Sequence, residues 1–250
     1  MLQVLDSDSS KIIEAVRSTG VVVTEAMRLY VDYIVSNMKA IGTWDLCNAV
    51  YGFVGGTAAS HAINWKNIGT YTLTYSGTVT HSSNGMQGNG TNGYANTNYS
   101  DPLLKRSLGY YVNTLGNTAV TELDMGSLGA TGEGFFLSNR VLSNFIYSSI
   151  GTSNLLVSRT IPKGFYNNSV QSGNHFISVN GSVIGRTTYL ANPIDTNFIT
   201  IGARNEGTAI AFFSNKRFGF SYIAGSFFTE SQSFQQSQIV TNAQLILNRA

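Results

Sequence analysis

Residues 85–100 read GMQGNGTNGYANTNYS, and within them Gly88, Gly90 and Gly93 stand in the spacing GxGxxG. In a dinucleotide-binding fold that spacing follows a strand and opens a helix whose free N–H groups hold a pyrophosphate. The residues after Gly93 therefore decide the fold. They read YANTNYSDP, rich in Asn and Tyr and ending at Pro102, a poor helix and a good strand leading into a turn. No apolar strand precedes the glycines, and the position about 20 residues on, where a ribose would need a carboxylate, falls in LGYYVNT. The stretch reads as a tight connection, its glycines and asparagines supplying positive φ, into a strand that begins at Tyr94.

Outward from it the same pattern recurs. YTLTYSGTVT, LGYYVNT, NFIYSSIG, FISVNGSVIG, NFITIGA and RFGFSYIAGSFF are short, β-rich and separated by Gly, Asn and Ser. Repeated short strands with turn signals predict a sandwich or barrel. The sharpest local signal is Asn180-Gly181, the pair preferred in a type I′ hairpin. No strand–helix–strand alternation follows residue 42, which argues against a parallel sheet. The closing segment, TESQSFQQSQIVTNAQLILNRA, predicts a helix capped by Thr229, with Phe234, Ile239, Leu245 and Leu247 as apolar contacts.

The first 40 residues differ in kind. They carry nine charged side chains, whereas residues 46–100 carry only Lys66. This change places a boundary near Gly42, between a helical segment, 1–41, and a β domain, 42–250. Asp8, Ser9 or Ser10 is positioned to cap a first helix and Thr24 a second. In the second, Met27, Tyr30, Val31, Ile34 and Met38 recur at three- and four-residue intervals as one apolar stripe. A helix of about 15 residues is marginal alone, so the stripe must pack, either on its own β domain or on a neighbouring subunit.

Composition excludes several classes. Charged residues make up 11% of the chain, against about 25% in ordinary globular proteins. Fifteen basic and 13 acidic residues give a net charge of +2 with no basic cluster, so nucleic acid is not an expected partner. No apolar run approaches the length of a membrane span, and the acidic opening MLQVLDSDSS does not resemble an export signal; synthesis without export is expected. One cysteine, Cys47, and three scattered histidines, His61, His81 and His175, make no zinc pattern. Neither a metal nor another cofactor is expected.

Catalytic readings fare poorly. Glu122 and Asp124 in TELDMG would share one face of a strand, but the Glu-x-Asp-x-Glu pattern of β-sandwich glycanases ends here in Gly126. They are expected to form a polar face or to pair with Lys or Arg. No Gly-x-Ser-x-Gly elbow marks a nucleophile. Asp195 with Asn192 and Asn197 is a weak oxygen cage that turn chemistry explains. Tyrosines among Asn and Ser are the remaining feature: Tyr94, Tyr99 and Tyr111 are candidate glycan contacts, because aromatic rings offer contact area with a polar tip.

The order WDLCNAVYGFVGGTAASHAINWKN, YTLTYSGTVTHSSNGMQGNGTNGYANT, the Asn-Gly hairpin, then FGFSYIAGSFFTESQ and a helix resembles the laminin-G-like, concanavalin A-type jelly roll of phage virion proteins. The resemblance spans residues 42–250. It implies a mainly β, antiparallel β-sandwich with an N-terminal helical segment and a C-terminal helix. It further implies a non-enzymatic virion component, present in several copies or as a homo-oligomer among other virion proteins. A glycan-binding adhesin is the alternative.

Overall fold

The computed structural model describes residues 4–101, 106–116, 121–140, 145–159, 162–190 and 195–249. Helices α1 (Ser7–Ser18) and α2 (Glu25–Ala40) come first, then β1 (Cys47–Tyr51), a short α3 (Ala58–His61), β2 (Thr74–Ser76), β3 (Val79–Ser82), β4 (Gly85–Gly88) and β5 (Tyr94–Asn96). The middle of the chain supplies β6 (Ser107–Val112), β7 (Met125–Leu128), β8 (Gly134–Arg140), β9 (Phe145–Gly151), β10 (Ser153–Ser158), β11 (Gly164–Gln171) and β12 (Asn174–Val179). Strands β13 (Ser182–Thr188), β14 (Thr200–Ile201), β15 (Arg204–Asn205), β16 (Ile210–Ala211) and β17 (Arg217–Ala224) lead to α4 (Glu230–Ile246).

The strands form a sandwich. Sheet A runs β13-β12-β11-β6-β17-β4-β3, with β1 also on β17; sheet B runs β10-β9-β8-β7-β14-β5-β2. Among the described residues pairing is antiparallel except for one parallel bridge between Asn205 and Ser127. Between the sheets lies an aromatic and aliphatic core that includes Tyr110, Tyr166, Phe218, Phe135, Leu137 and Met125.

The opening stretch behaves as a strand connection. Gly85–Gly88 and Tyr94–Asn96 are both strands, and no helix follows Gly93. Of the three glycines only Gly90 has positive φ, at 76°. Gly93 is required by close approach instead, since a Cβ there would sit 2.0 Å from the Thr78 carbonyl oxygen. Asn89 closes the turn by accepting the N–H groups of Thr91, Asn92 and Gly93 at 2.9–3.0 Å. The Asn180-Gly181 turn has φ of 50° and 84°, the left-handed pair that type I′ demands, and joins Val179 to Ser182.

The helices cover the back of sheet A. Tyr30, Val31, Ile34 and Met38 are fully buried in one cluster with Tyr111, Phe165, Phe220 and Tyr222 of sheet A and Val240 and Ala243 of α4, while Met27, half-buried, lies outside that cluster. The apolar stripe is thus packed on its own chain, and these residues are not an assembly surface. The core runs without a break across the compositional boundary at residue 42. Tyr30 fixes the contact through its hydroxyl, which donates toward the carbonyls of Gly52 and Gly219 and accepts from Gln244 Nε2. Asp6, not Asp8 or the serines, caps α1, accepting the Asp8 N–H at 2.8 Å. Thr24 and Thr229 cap α2 and α4.

Candidate functional site

With helices over sheet A, the outer face of sheet B is the strand face that no helix covers, although Gly126, Phe136, Ser138 and Ser149 on it are buried. Alternation along its strands turns Tyr94 and Asn96, Gly126, Phe136 and Ser138, Tyr147 and Ser149, and Asn154 and Leu156 outward, while Ala95, Met125, Phe135, Leu137 and Ile146 face the core. The hairpin β15–β16 folds across this face. Its Arg204 guanidinium lies 5.2 Å from the Phe136 ring centre and 4.9 Å from that of Phe212. Tyr147 meets Phe136 edge-on at 4.8 Å, and its hydroxyl donates to Asn154 Oδ1 at 3.2 Å.

Phe212 is the most unusual residue here. Its φ is 57°, a left-handed conformation that costs a bulky side chain about 1–2 kcal/mol, and the residue is 39% exposed. Arg204 pairs with Glu206, while its Nε is buried with no hydrogen-bond partner. Beyond Glu206 opens a cleft of about 260 Å³, lined by Gly129, Glu133, Asp195, Asn197 and Thr208. The Thr131 hydroxyl on Glu133 holds that carboxyl below its ordinary range. Together the face offers exposed ring edges, a guanidinium between two rings, and amide, hydroxyl and carboxylate groups at its rim.

The residues expected from sequence are scattered by comparison. Tyr94 lies on this face, half-exposed and 6.1 Å from Phe213. Tyr99 and Tyr111 do not: Tyr99 is fully buried, its hydroxyl held by Asn48 Nδ2, and Tyr111 sits beneath the helices, so neither ring can stack on a sugar. Arg204, Phe212 and Tyr147 instead converge around Phe136, and sequence reasoning had no signal for bringing them together. A lone Arg in a charge-poor segment is the one trace they leave.

Glu122 and Asp124 are fully buried with Lys216, whose ammonium lies 3.0 Å and 2.7 Å from their oxygens. No polysaccharide reaches them, so they are not the carboxylate pair of a hydrolase. His61 and His81, far apart in sequence, meet with their Nδ1 atoms 3.0 Å apart, and burial lowers the His61 pKa to about 3. His175 is buried against Ser148 and the Ser153 carbonyl, its pKa lowered to about 4 by desolvation. Burial likewise pushes the Cys47 thiol up. Asp195 accepts from Ser127 Oγ and the Asn197 N–H, as in a turn; Asn192 lies outside the described residues. Among the described residues no three His, Cys, Asp or Glu side chains form a group that holds a metal ion, and no helix is long and apolar enough to cross a membrane.

No family model and no curated protein matches the chain. Solved structures do match its fold. Domain 4 of AbnA, a GH43 extracellular arabinanase from Geobacillus stearothermophilus solved with arabinotriose, is similar over 77% of this chain and 98% of that one, with a TM-score of 0.55 and 16% identity. A Trypanosoma rangeli sialidase mutant displaying trans-sialidase activity is similar over 86% of this chain, which spans 39% of that structure, with a TM-score of 0.50 and 12% identity. At such identities the likeness concerns the β-sandwich fold.

Proposed function

We propose that the protein is a non-catalytic glycan-binding module that recognises carbohydrate on the outer face of sheet B. The observation that carries the reading is Phe212, held in a strained conformation and partly exposed over Arg204. Tyr147 and Tyr94 extend the aromatic surface across the sheet. Sugar rings stack their C–H faces on such rings, while Asn154, Asn96 and the cleft beside Glu206 provide neutral and acidic partners for hydroxyls. The AbnA domain, solved with arabinotriose, makes arabino-oligosaccharides a natural first probe.

The test is a glycan array followed by calorimetric titration of the full chain. Saturable binding is expected, weakened about tenfold by Phe212→Ala or Tyr147→Ala, the loss of roughly 1.4 kcal/mol of ring contact. Phe234→Ala, which removes an exposed ring on α4, leaves it unchanged. Binding unaffected by the first two variants would move the site elsewhere, and no saturable binding at all would remove the reading.

A place in a virion, in several copies, rests on the resemblance of residues 42–250 alone, since the stripe that suggested assembly is packed internally. Deleting residues 1–40 would strip much of the helical core, so the discriminating experiment is detection of the intact chain in purified particles.

A further inference from the structure

Lys216 immediately precedes β17 in sheet A, and Asp124 immediately precedes β7 in sheet B. Both side chains and that of Glu122 have no solvent exposure. Lys216 Nζ lies 2.7 Å from Asp124 Oδ1, 3.0 Å from Glu122 Oε2 and 2.9 Å from the Asn139 carbonyl oxygen. The Asp124 carboxylate is polarised from both sides. Its Oδ2 accepts from the Tyr110 hydroxyl and the Asn139 N–H, each at 2.8 Å, and its Oδ1 accepts from Ser214 Oγ at 2.9 Å. Gly116 closes over the group: a Cβ there would come within 2.3 Å of Glu122 Oε2 and 2.9 Å of the Lys216 stem.

This arrangement has the parts of an acyl-transfer site: a nucleophilic nitrogen, a carbonyl carbon, two donors on one oxygen and an adjacent carboxylate to carry protons. We propose that Lys216 and Asp124 join in an intramolecular amide bond that staples sheet A to sheet B. In a site closed to solvent, moving one proton from the Lys216 ammonium to Asp124 Oδ1 gives a neutral amine and a carboxylic acid beside the remaining Glu122 carboxylate. Nζ then attacks Asp124 Cγ. Charge developing on Oδ2 is met by the Tyr110 hydroxyl and the Asn139 N–H. Glu122 takes a proton from the attacking nitrogen and delivers it to Oδ1, the Cγ–Oδ1 bond breaks, and water leaves. The ammonium and carboxylate together become one amide and one water, with no oxidant or reductant and Glu122 regenerated. Afterwards the amide oxygen keeps both donors of Oδ2, and the new N–H donates to Glu122.

The experiment is intact-mass spectrometry of the full chain after incubation at neutral pH, with circular dichroism to confirm folding. The expected mass is about 18 Da, one water, below that of the unmodified sequence. Trypsin should then yield a branched peptide joining Lys216 to Asp124, with no cleavage after Lys216. E122Q should keep the full sequence mass with an unchanged dichroism spectrum. A folded wild-type chain at full sequence mass, cleaved after Lys216, overturns the proposal. So does a deficit of about 17 Da mapped to Asn139, which would mean loss of ammonia and a different partner.

Discussion

Acid should destabilise this fold from about pH 6.5 downward, and the cause is two buried histidines. The Gly56 N–H donates to His61 Nε2, so His61 Nδ1 carries the hydrogen shared with His81 Nδ1. His175 donates from Nδ1 to the Ser153 carbonyl and accepts from Ser148 at Nε2. Both rings are therefore neutral when folded, with pKa values lowered to about 3 and about 4, chiefly by desolvation, with His81 and Arg249 adding to the effect at His61. Unfolded, both return to about 6.5 and bind protons below that pH. The unfolded chain thus takes up more protons between about pH 6.5 and 4, so stability falls as pH falls through that window. At about 1.4 kcal/mol per pH unit and group, lowering the pH from 6.5 to 4.5 removes about 2–3 kcal/mol for each ring, or about 5 kcal/mol together. That is a large share of a typical domain's stability. Asp8, held down to about 2 by hydrogen bonds from Lys39 and Lys11, has its own window and loses its contribution only below about pH 4. Urea midpoints at pH 7.5 and 4.5 measure the effect, in the wild type and in the double variant His61→Gln, His175→Gln. Equal wild-type midpoints, or a decline that persists undiminished in the double variant, would refute the reasoning.

Phe212→Gly should leave thermal stability within about 1 kcal/mol of wild type, because relief of the left-handed backbone offsets the lost stacking on Arg204, while glycan affinity falls about tenfold. Calorimetry of unfolding and of binding reads the two separately; a matching loss in both would make the ring merely structural. Tyr30→Phe should cost about 2–3 kcal/mol in urea denaturation, since the hydroxyl serves the Gly52 and Gly219 carbonyls and Gln244 in a dry interface; a cost under about 0.5 kcal/mol would contradict that geometry. Neutral-glycan affinity should change less than about twofold between about 50 and 500 mM salt, because stacking and uncharged hydrogen bonds are little screened. A steep salt dependence in the same titration would point to an anionic ligand on Arg204.

Much of the architecture was legible because it rests on local chemistry. Tyr94 starts a strand because glycine spacing and Asn-rich flanks do not support a helix, and Asn180-Gly181 fixes its hairpin by backbone geometry alone. Thr24 and Thr229 are recognisable as caps from side-chain chemistry. The illegible part depends on which face meets which. Tyr110 and Tyr111 are neighbours in β6, yet one enters the inter-sheet core and the other the helix layer, so Tyr111 reads equally well as a binding platform. Helix α4 is legible only in part. Of its four expected contacts Ile239 is buried and Leu247 packs against the helix-layer core, but Phe234 and Leu245 are 52% and 58% exposed, while the buried face adds Ser233, Gln236, Ser237 and Gln244 to Ile239, Val240 and Ala243. The inner polar groups have reasons invisible in sequence: Gln236 accepts from Thr43, Ser233 from Asn167, and Gln244 donates to Tyr30.

The same layering bears on where the proposed glycan site lies. Tyr110 and Tyr166 spend one face of sheet A on the inter-sheet core, and Tyr111, Phe165, Phe220 and Tyr222 spend the other on α2 and α4. The helical side does have a groove of about 600 Å³, but its walls, among them Asp32, Tyr33 and Asn37, belong to the packing of α2. Asp32 there accepts the Asp6 N–H, and Asn37 donates to the Tyr33 carbonyl, so these polar groups are committed within the chain. Sheet B is different because its outward residues are neither covered by helices nor wholly satisfied. Phe136 is sealed by Arg204 and Tyr147; Arg204 lies largely buried against the Phe136 and Phe212 rings, and Phe212 is left partly exposed. By occupying the back of sheet A, the helices leave the outer face of sheet B as the strand face on which the proposed glycan contacts, Phe212 and Tyr147, are placed.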